Sequence, residues 1–197
     1  DFQSQINFFE KNFNIISFDD FKSIIKNKKF PKKPSILLTF DDGYSDHYQY
    51  VFPLLFKKKI NACFFSPTSI FKKNYFLEVN KIHIILDKFQ DKNKLLKLIL
   101  AELKKISDID IDKLMTNLFL EVKNSTHRFD DKKTLIVKYL LQHSIPNKYR
   151  VKLVKKLFEI ALLKSKETDI ENFYINKKNF LEMAKNGMHF GSHGHSH

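Results

Sequence analysis

Two short apolar runs, Ser35-Ile36-Leu37-Leu38-Thr39-Phe40 and Ile60-Asn61-Ala62-Cys63-Phe64-Phe65, flank a stretch of helical pattern, and this arrangement constrains the fold more than any other feature of the chain. Strand, turn, helix and strand within about 30 residues make the crossover unit of a parallel sheet. The expected class is therefore α/β. The first run follows Pro31 and Pro34 and reads as a strand buried on both faces. It stops at Asp41-Asp42-Gly43. Asp is a poor strand former and Gly permits positive φ, so the chain turns here and leaves two adjacent carboxylates at a strand's C-terminal end. Parallel α/β folds do their chemistry at such ends. Asp-Gly is also an ordinary turn dipeptide. The weight against a mere turn comes from the far end of the chain, where Gly191-Ser192-His193-Gly194-His195-Ser196-His197 follows another apolar run, Met188-His189-Phe190.

Around these runs the pattern is helical. Ile6, Phe9 and Phe13 recur at helical spacing, Asn14-Ile15-Ile16 reads as a short extended piece, and Ser17 with Asp20 forms a capping arrangement for a helix through Phe21, Ile24 and Ile25. Asp19 and Asp20 are then favourable charges in a first helical turn, not ligands. Ser45 to Lys59 reads as a helix presenting Tyr48, Val51, Leu54 and Leu55, with Pro53 set to kink or restart it. Between residues 71 and 173 there is no glycine and no convincing strand. Apolar stripes recur instead: Leu96-Ile99-Leu100-Leu103, Ile111-Leu114-Met115-Leu118-Val122, Ile136-Tyr139-Leu140 and Leu153-Leu157-Ile160-Ala161. His83, His127 and His143 fall here without companions at ligand spacing and read as ordinary histidines. Sheet character resumes at Tyr174-Ile175, Asn176 caps a helix through Phe180, Leu181 and Ala184, and Gly187 ends it. The expected organisation is one α/β part, residues 1–70 and 174–197, interrupted by a helical insertion over 71–173.

At 197 residues and 43% hydrophobic composition the chain can bury a real core. Its net charge of +13 favours anionic partners. The lysines are scattered along helical faces and not interleaved with aromatics and Arg, so no nucleic-acid partner is expected; peripheral contact with an anionic membrane or glycan is compatible with the charge. Cys63, the single cysteine, lies in an apolar run and reads as a small buried hydrophobe. No stretch reads as a signal peptide or a membrane span, which favours a cytoplasmic or membrane-peripheral place.

His193 and His197 are four residues apart, a spacing that points both imidazoles the same way on one helical turn or a tight loop. Two imidazoles and one carboxylate form a three-ligand set for a divalent ion with coordination positions left open. Zinc fits best, with cobalt, manganese, iron or nickel as alternatives. Such a site polarises a carbonyl and activates water, and a second carboxylate can take the water's proton. Spacing alone does not divide these roles between Asp41 and Asp42. His195 reads as peripheral, with an alternative role as ligand. Gly-Ser-His followed by histidines also occurs in purification tags, but the coherent helix-glycine-strand lead-in argues for a native strand end.

Thr39-Phe40-Asp41-Asp42-Gly43-Tyr44 together with His193-Gly194-His195-Ser196-His197 resembles the first two motifs of the polysaccharide deacetylases, the NodB-homology or carbohydrate esterase family 4 group. The resemblance runs from Pro31 to Pro67 and resumes over about Tyr174 to His197. It implies that Asp41 is the general base and that Asp42, His193 and His197 hold the metal. It also implies a distorted (β/α)-barrel related to the TIM barrel, and hydrolysis of an N-acetyl or O-acetyl group on a sugar or glycan. Two departures accompany it. The long helical segment is absent from compact members, and the family's later motifs, including the general-acid histidine, have no counterpart here. The expectation is therefore a partial barrel with an inserted helical lobe, the N-terminal portion of such an enzyme. Two further readings stay open: a non-catalytic binder of anionic glycan or membrane surface on the same scaffold, and an amidase or deformylase acting on a nucleotide- or lipid-linked sugar.

Overall fold

The computed structural model describes residues 1–72, 75–124, 130–163 and 172–196. The chain forms two compact units, Asp1–Tyr75 with Asp169–His197, and Phe76–Thr168.

The first unit is α/β. Helix α1 (Phe2–Asn12) starts at Asp1, whose carboxylate accepts from the Ser4 N–H at 2.7 Å. Strand β1 (Asn14–Ile15) follows, then α2 (Phe18–Asn27) and β2 (Ser35–Ile36), which pairs in parallel with β1. The expected capping box is present: the Asp20 N–H donates to Ser17 Oγ and the Ser17 N–H returns a bond to Asp20 Oδ2. Strand β3 (Thr39–Asp41) leads into the Asp-Asp-Gly turn; α3 (Phe52–Lys58) and β4 (Cys63–Ser66) follow. After the second unit, α9 (Lys177–Lys185), capped by Asn176, precedes β5 (His189–Ser192). Strands β3, β4 and β5 form one parallel sheet in that order, with Phe40, Phe64 and Phe190 in register. Their rings stack at 5.0 and 5.5 Å and are packed among Ile6, Phe52, Leu55 and Met183 from α1, α3 and α9. This is the apolar core that holds the strand ends in place.

Several expectations need correction. The run Ser35 to Phe40 is not one strand buried on both faces. It breaks at Leu37-Leu38, gives one strand to each sheet, and is half-buried to exposed throughout, because β3 is an edge of its sheet. The buried central strand is β4. The Ser45–Lys59 helix restarts at Pro53, as expected: residues His47–Val51 form a π-turn closed by the Phe52 N–H on His47 O, and α3 starts with Pro53 in its first turn. Pro53 has no N–H to give to the turn before it, so the break falls just ahead of it. The sheet character read at Tyr174-Ile175 amounts to an isolated antiparallel bridge between Tyr174 and Tyr44. Among the described residues the parallel strands make a two-stranded and a three-stranded sheet, and no barrel is evident; a closed barrel of this type takes about eight tilted strands.

The second unit is helical: α4 (Glu78–Lys88), α5 (Lys92–Leu103), α6 (Ile111–Asn124), α7 (Lys132–Tyr139) and α8 (Asn147–Leu163). Asp91 and Asp131 cap α5 and α7, each accepting two backbone N–H groups. The buried face of α5 is Leu95, Ile99 and Leu103, with the expected Leu96 and Leu100 at its half-buried flanks. Arg150 on α8 donates to Glu78 of α4 at 2.9 Å and to Gln142 O at 2.8 Å. His83 and His143 are exposed, and His127 lies outside the described residues. No described helix is long and apolar enough to cross a membrane.

Candidate active site

The site is built where β3, β4 and β5 end together. Asp41 closes β3 and is exposed; Asp42 and Gly43 then both take left-handed backbone angles, φ +69° and +68°. Glycine adopts this conformation freely and aspartate at some cost. Gly43 is also sterically required, since a Cβ there would lie 2.5 Å from Ile70 Cδ1 and 2.8 Å from Ser66 Oγ. The turn is held from one side by residues after the helical unit: the Ser45 N–H donates to Phe173 O and the Ile175 N–H to Gly43 O, each at 2.9 Å. The phenol of Tyr44 donates to Asp42 Oδ2 at 3.0 Å, fixing the carboxylate.

From the other side β5 delivers the histidines. Gly191 lies flat against Phe65, whose ring atoms would be 2.6 Å from any Cβ, and the His193 N–H donates to Ser66 O at 3.1 Å. His193 Nε2 thereby comes to 3.8 Å from Asp42 Oδ1. That is longer than a hydrogen bond. Two metal–ligand bonds of about 2.1 Å span at most about 4.2 Å, so this carboxylate and imidazole, both of a type that binds divalent ions, lie within the span of one ion. His197 lies outside the described residues. Among the described residues no group of three or more His, Cys, Asp or Glu side chains is placed to hold a metal.

His195 is engaged elsewhere. Its Nδ1 meets Thr68 Oγ1 at 2.8 Å and its Nε2 meets Lys72 Nζ at 3.0 Å. An ammonium can only donate, so Nε2 accepts, and Nδ1 carries the proton that goes to Thr68. Both ring nitrogens are thus occupied outside the Asp42–His193 pair. The Ser66 and Ser69 hydroxyls are buried and find no hydrogen-bond partner among the described residues.

His47, beneath the turn, packs against the rings of Phe40, Tyr44 and Phe64. Burial depresses its pKa, against the opposing pull of Asp46, Asp42 and Asp41. Burial likewise pushes the Cys63 thiol up, which keeps it inert. Of the residues singled out in the sequence, the structure brings Asp42 and His193 together at the strand ends with Asp41 beside them; Tyr44, Ser66, Thr68 and Lys72, which the sequence gives no role, join them there. Only the Tyr directly after the Asp-Asp-Gly turn carried a local signal.

The C-terminal ends of parallel strands, where α/β folds carry their binding sites, here bring two carboxylates and an imidazole together. A family model for polysaccharide deacetylase matches residues 28–106. The match bears out the family resemblance and supports a carbohydrate deacetylase, a hydrolase acting on acetylated sugar. It contains Asp41 and Asp42, extends through α5 beyond the stretch on which the resemblance was read, and does not include the histidine cluster. No curated protein and no solved structure gives a significant match to the chain.

Proposed function

We propose that this chain carries the water-activating part of a metal-dependent hydrolase that removes an N- or O-acetyl group from a sugar or polysaccharide. The observation that supports it most is the approach of His193 Nε2 to Asp42 Oδ1 at 3.8 Å, beside Asp41 at a shared strand end. In this reading Asp42, His193 and His197 hold the ion, most readily zinc. The ion would supply activation of water and polarisation of the acyl carbonyl. Asp41, exposed on the neighbouring position, takes the proton of the attacking water. Tyr44 keeps Asp42 oriented, and in this reading Asp42 serves the metal while the exposed Asp41 serves the proton. The water oxygen adds to the acyl carbon, forming the new C–O bond; the acyl C–N or C–O bond then breaks, the sugar amine or hydroxyl leaves with the proton taken from the water, and acetate is released. Residues 1–70 and 174–197 are then the deacetylase part, with the helices of 71–173 as an insertion. The assembly of the first unit from two stretches flanking the helical one supports this division.

The test pairs metal retention with acetate release. Asp42→Ala, His193→Ala and His197→Ala each lose bound zinc and activity. Asp41→Asn keeps zinc and loses about 10²–10⁴-fold in kcat. Full activity in Asp41→Asn would falsify the base assignment, and salt-sensitive glycan binding without acetate release would replace the hydrolase with a binder.

A further inference from the structure

The Lys72 ammonium and the His195 imidazole form a hydrogen-bonded pair beside the proposed metal site that the deacetylase chemistry does not use. Their position is fixed by the short 3₁₀ turn Thr68–Phe71. On one side Ile70 of this turn presses against Gly43, the neighbour of Asp42. On the other its backbone is tied to the histidine loop: the Thr68 N–H donates to Gly194 O at 3.1 Å and the Ser69 N–H to His195 O at 3.0 Å. Lys72 ends the turn, so its ammonium stands within two residues of the loop that carries His193.

The ammonium is held by an unusual partner. It donates to an imidazole nitrogen at 3.0 Å, and among the described residues no carboxylate pairs with it. A lysine at a protein surface usually keeps its charge in water or pairs it with Asp or Glu. Here the relay Lys72 to His195 to Thr68 consumes one of its three N–H groups and leaves two without a partner among the described residues, on an exposed side chain. Those two donors, on a compact point charge, suit an anionic oxygen of a bound saccharide. Asp41 and Asp42 repel such a group from the turn itself, so the charge at Lys72 decides where along the saccharide it can sit.

We infer that Lys72, oriented by His195 and Thr68, is an anion subsite that selects saccharides bearing a carboxylate or phosphate next to the sugar being deacylated. This rests on the proposed deacetylase site for its position but not for its test. Binding is measured by titration calorimetry on the protein, with and without added zinc, using three probes: a neutral N-acetylglucosamine oligomer, the same length of oligomer carrying glucuronic acid, and an N-acetylglucosamine phosphate. The wild type binds one or both anionic probes at least tenfold more tightly than the neutral one, and the preference shrinks with added salt. Lys72→Ala removes the preference and leaves neutral binding as it was; Lys72→Arg restores most of it. Which anionic probe keeps the preference separates carboxylate from phosphate. Equal binding of all three probes by the wild type overturns the inference, as does a Lys72→Ala variant that weakens every probe alike. Charge-selective binding without acetate release from any probe sinks the hydrolase reading and leaves the subsite standing; acetate release with no charge preference does the reverse.

Discussion

Asp42 sits at a φ of +69° with its carboxylate held by Tyr44, and that strained residue, not the more regular Asp41, faces His193. A non-glycine residue in the left-handed region costs of order 1 kcal/mol and persists where surrounding structure enforces it. Here Gly43, wedged under Ile70, and the backbone bonds from Phe173 and Ile175 do so. His47 belongs to the same scale. It is half-buried with a depressed pKa, so below its ordinary value of about 6.5 the unfolded chain binds a proton that the folded one refuses. Stability should therefore be full above about pH 6.5 to 7 and fall as pH drops through that value, levelling only below the folded pKa. Denaturant titrations from pH 8 to 5 should show this slope, and His47→Phe should flatten it; an unchanged slope would assign the effect to other groups. At this scale the sequence was most legible where chemistry demands a residue type. The carboxylates and His193 stood out because few structural roles call for them at strand ends. Lys72, Ser66 and Thr68 did not, because only contacts over more than a hundred residues give them a role, as the Thr68–His195 bond across 127 positions illustrates.

Among the elements, local rules were reliable and lateral ones were not. The Ser17 and Asn176 caps, the α9 helix and the glycine that ends it follow from side chains within four residues, and all are present. The burial of β3 is not legible in its sequence, because an apolar run does not say whether a strand lies at the centre of a sheet or at its edge. The order β3-β4-β5 makes β4 the central strand and Phe64 its most enclosed side chain, fully buried between Phe40 and Phe190. Phe64→Ala should cost about 3–5 kcal/mol, readable as a shift in denaturation midpoint. The same truncation at Phe56, exposed on α3, should change stability by less than about 0.5 kcal/mol. Comparable losses at both would mean that the sheet is not the core of this unit.

The whole molecule divides by composition of structure. Unit Phe76–Thr168 has its own enclosed residues, among them Leu77, Ile85, Leu95, Ile99, Leu140 and Leu157, and its own polar ties at Arg150 and Glu78. A polypeptide of residues 76–168 should therefore fold by itself, with helical circular dichroism and one cooperative melting transition. A broad, non-cooperative melt would show that this core is insufficient. The helical character of this region was legible from its stripes and from the lack of glycine; the register of α5 was not, since Leu95 and Leu96 are equivalent to a pattern and only packing chooses between them.

The parallel pairing of β4 with β5 joins residues made at very different moments of synthesis. Asn61, just before β4, bonds to Gly187, just before β5, across 126 positions. At about 5–20 residues per second a ribosome needs roughly 6–25 s to cover that distance. During this interval Ala62-Cys63-Phe64-Phe65 has one neighbour, β3, and an open apolar edge of the kind that recruits other chains. The helical unit, complete before β5 appears, sets the length of that wait. Yield of soluble protein should accordingly depend on translation speed and on chaperones that cover nascent strands.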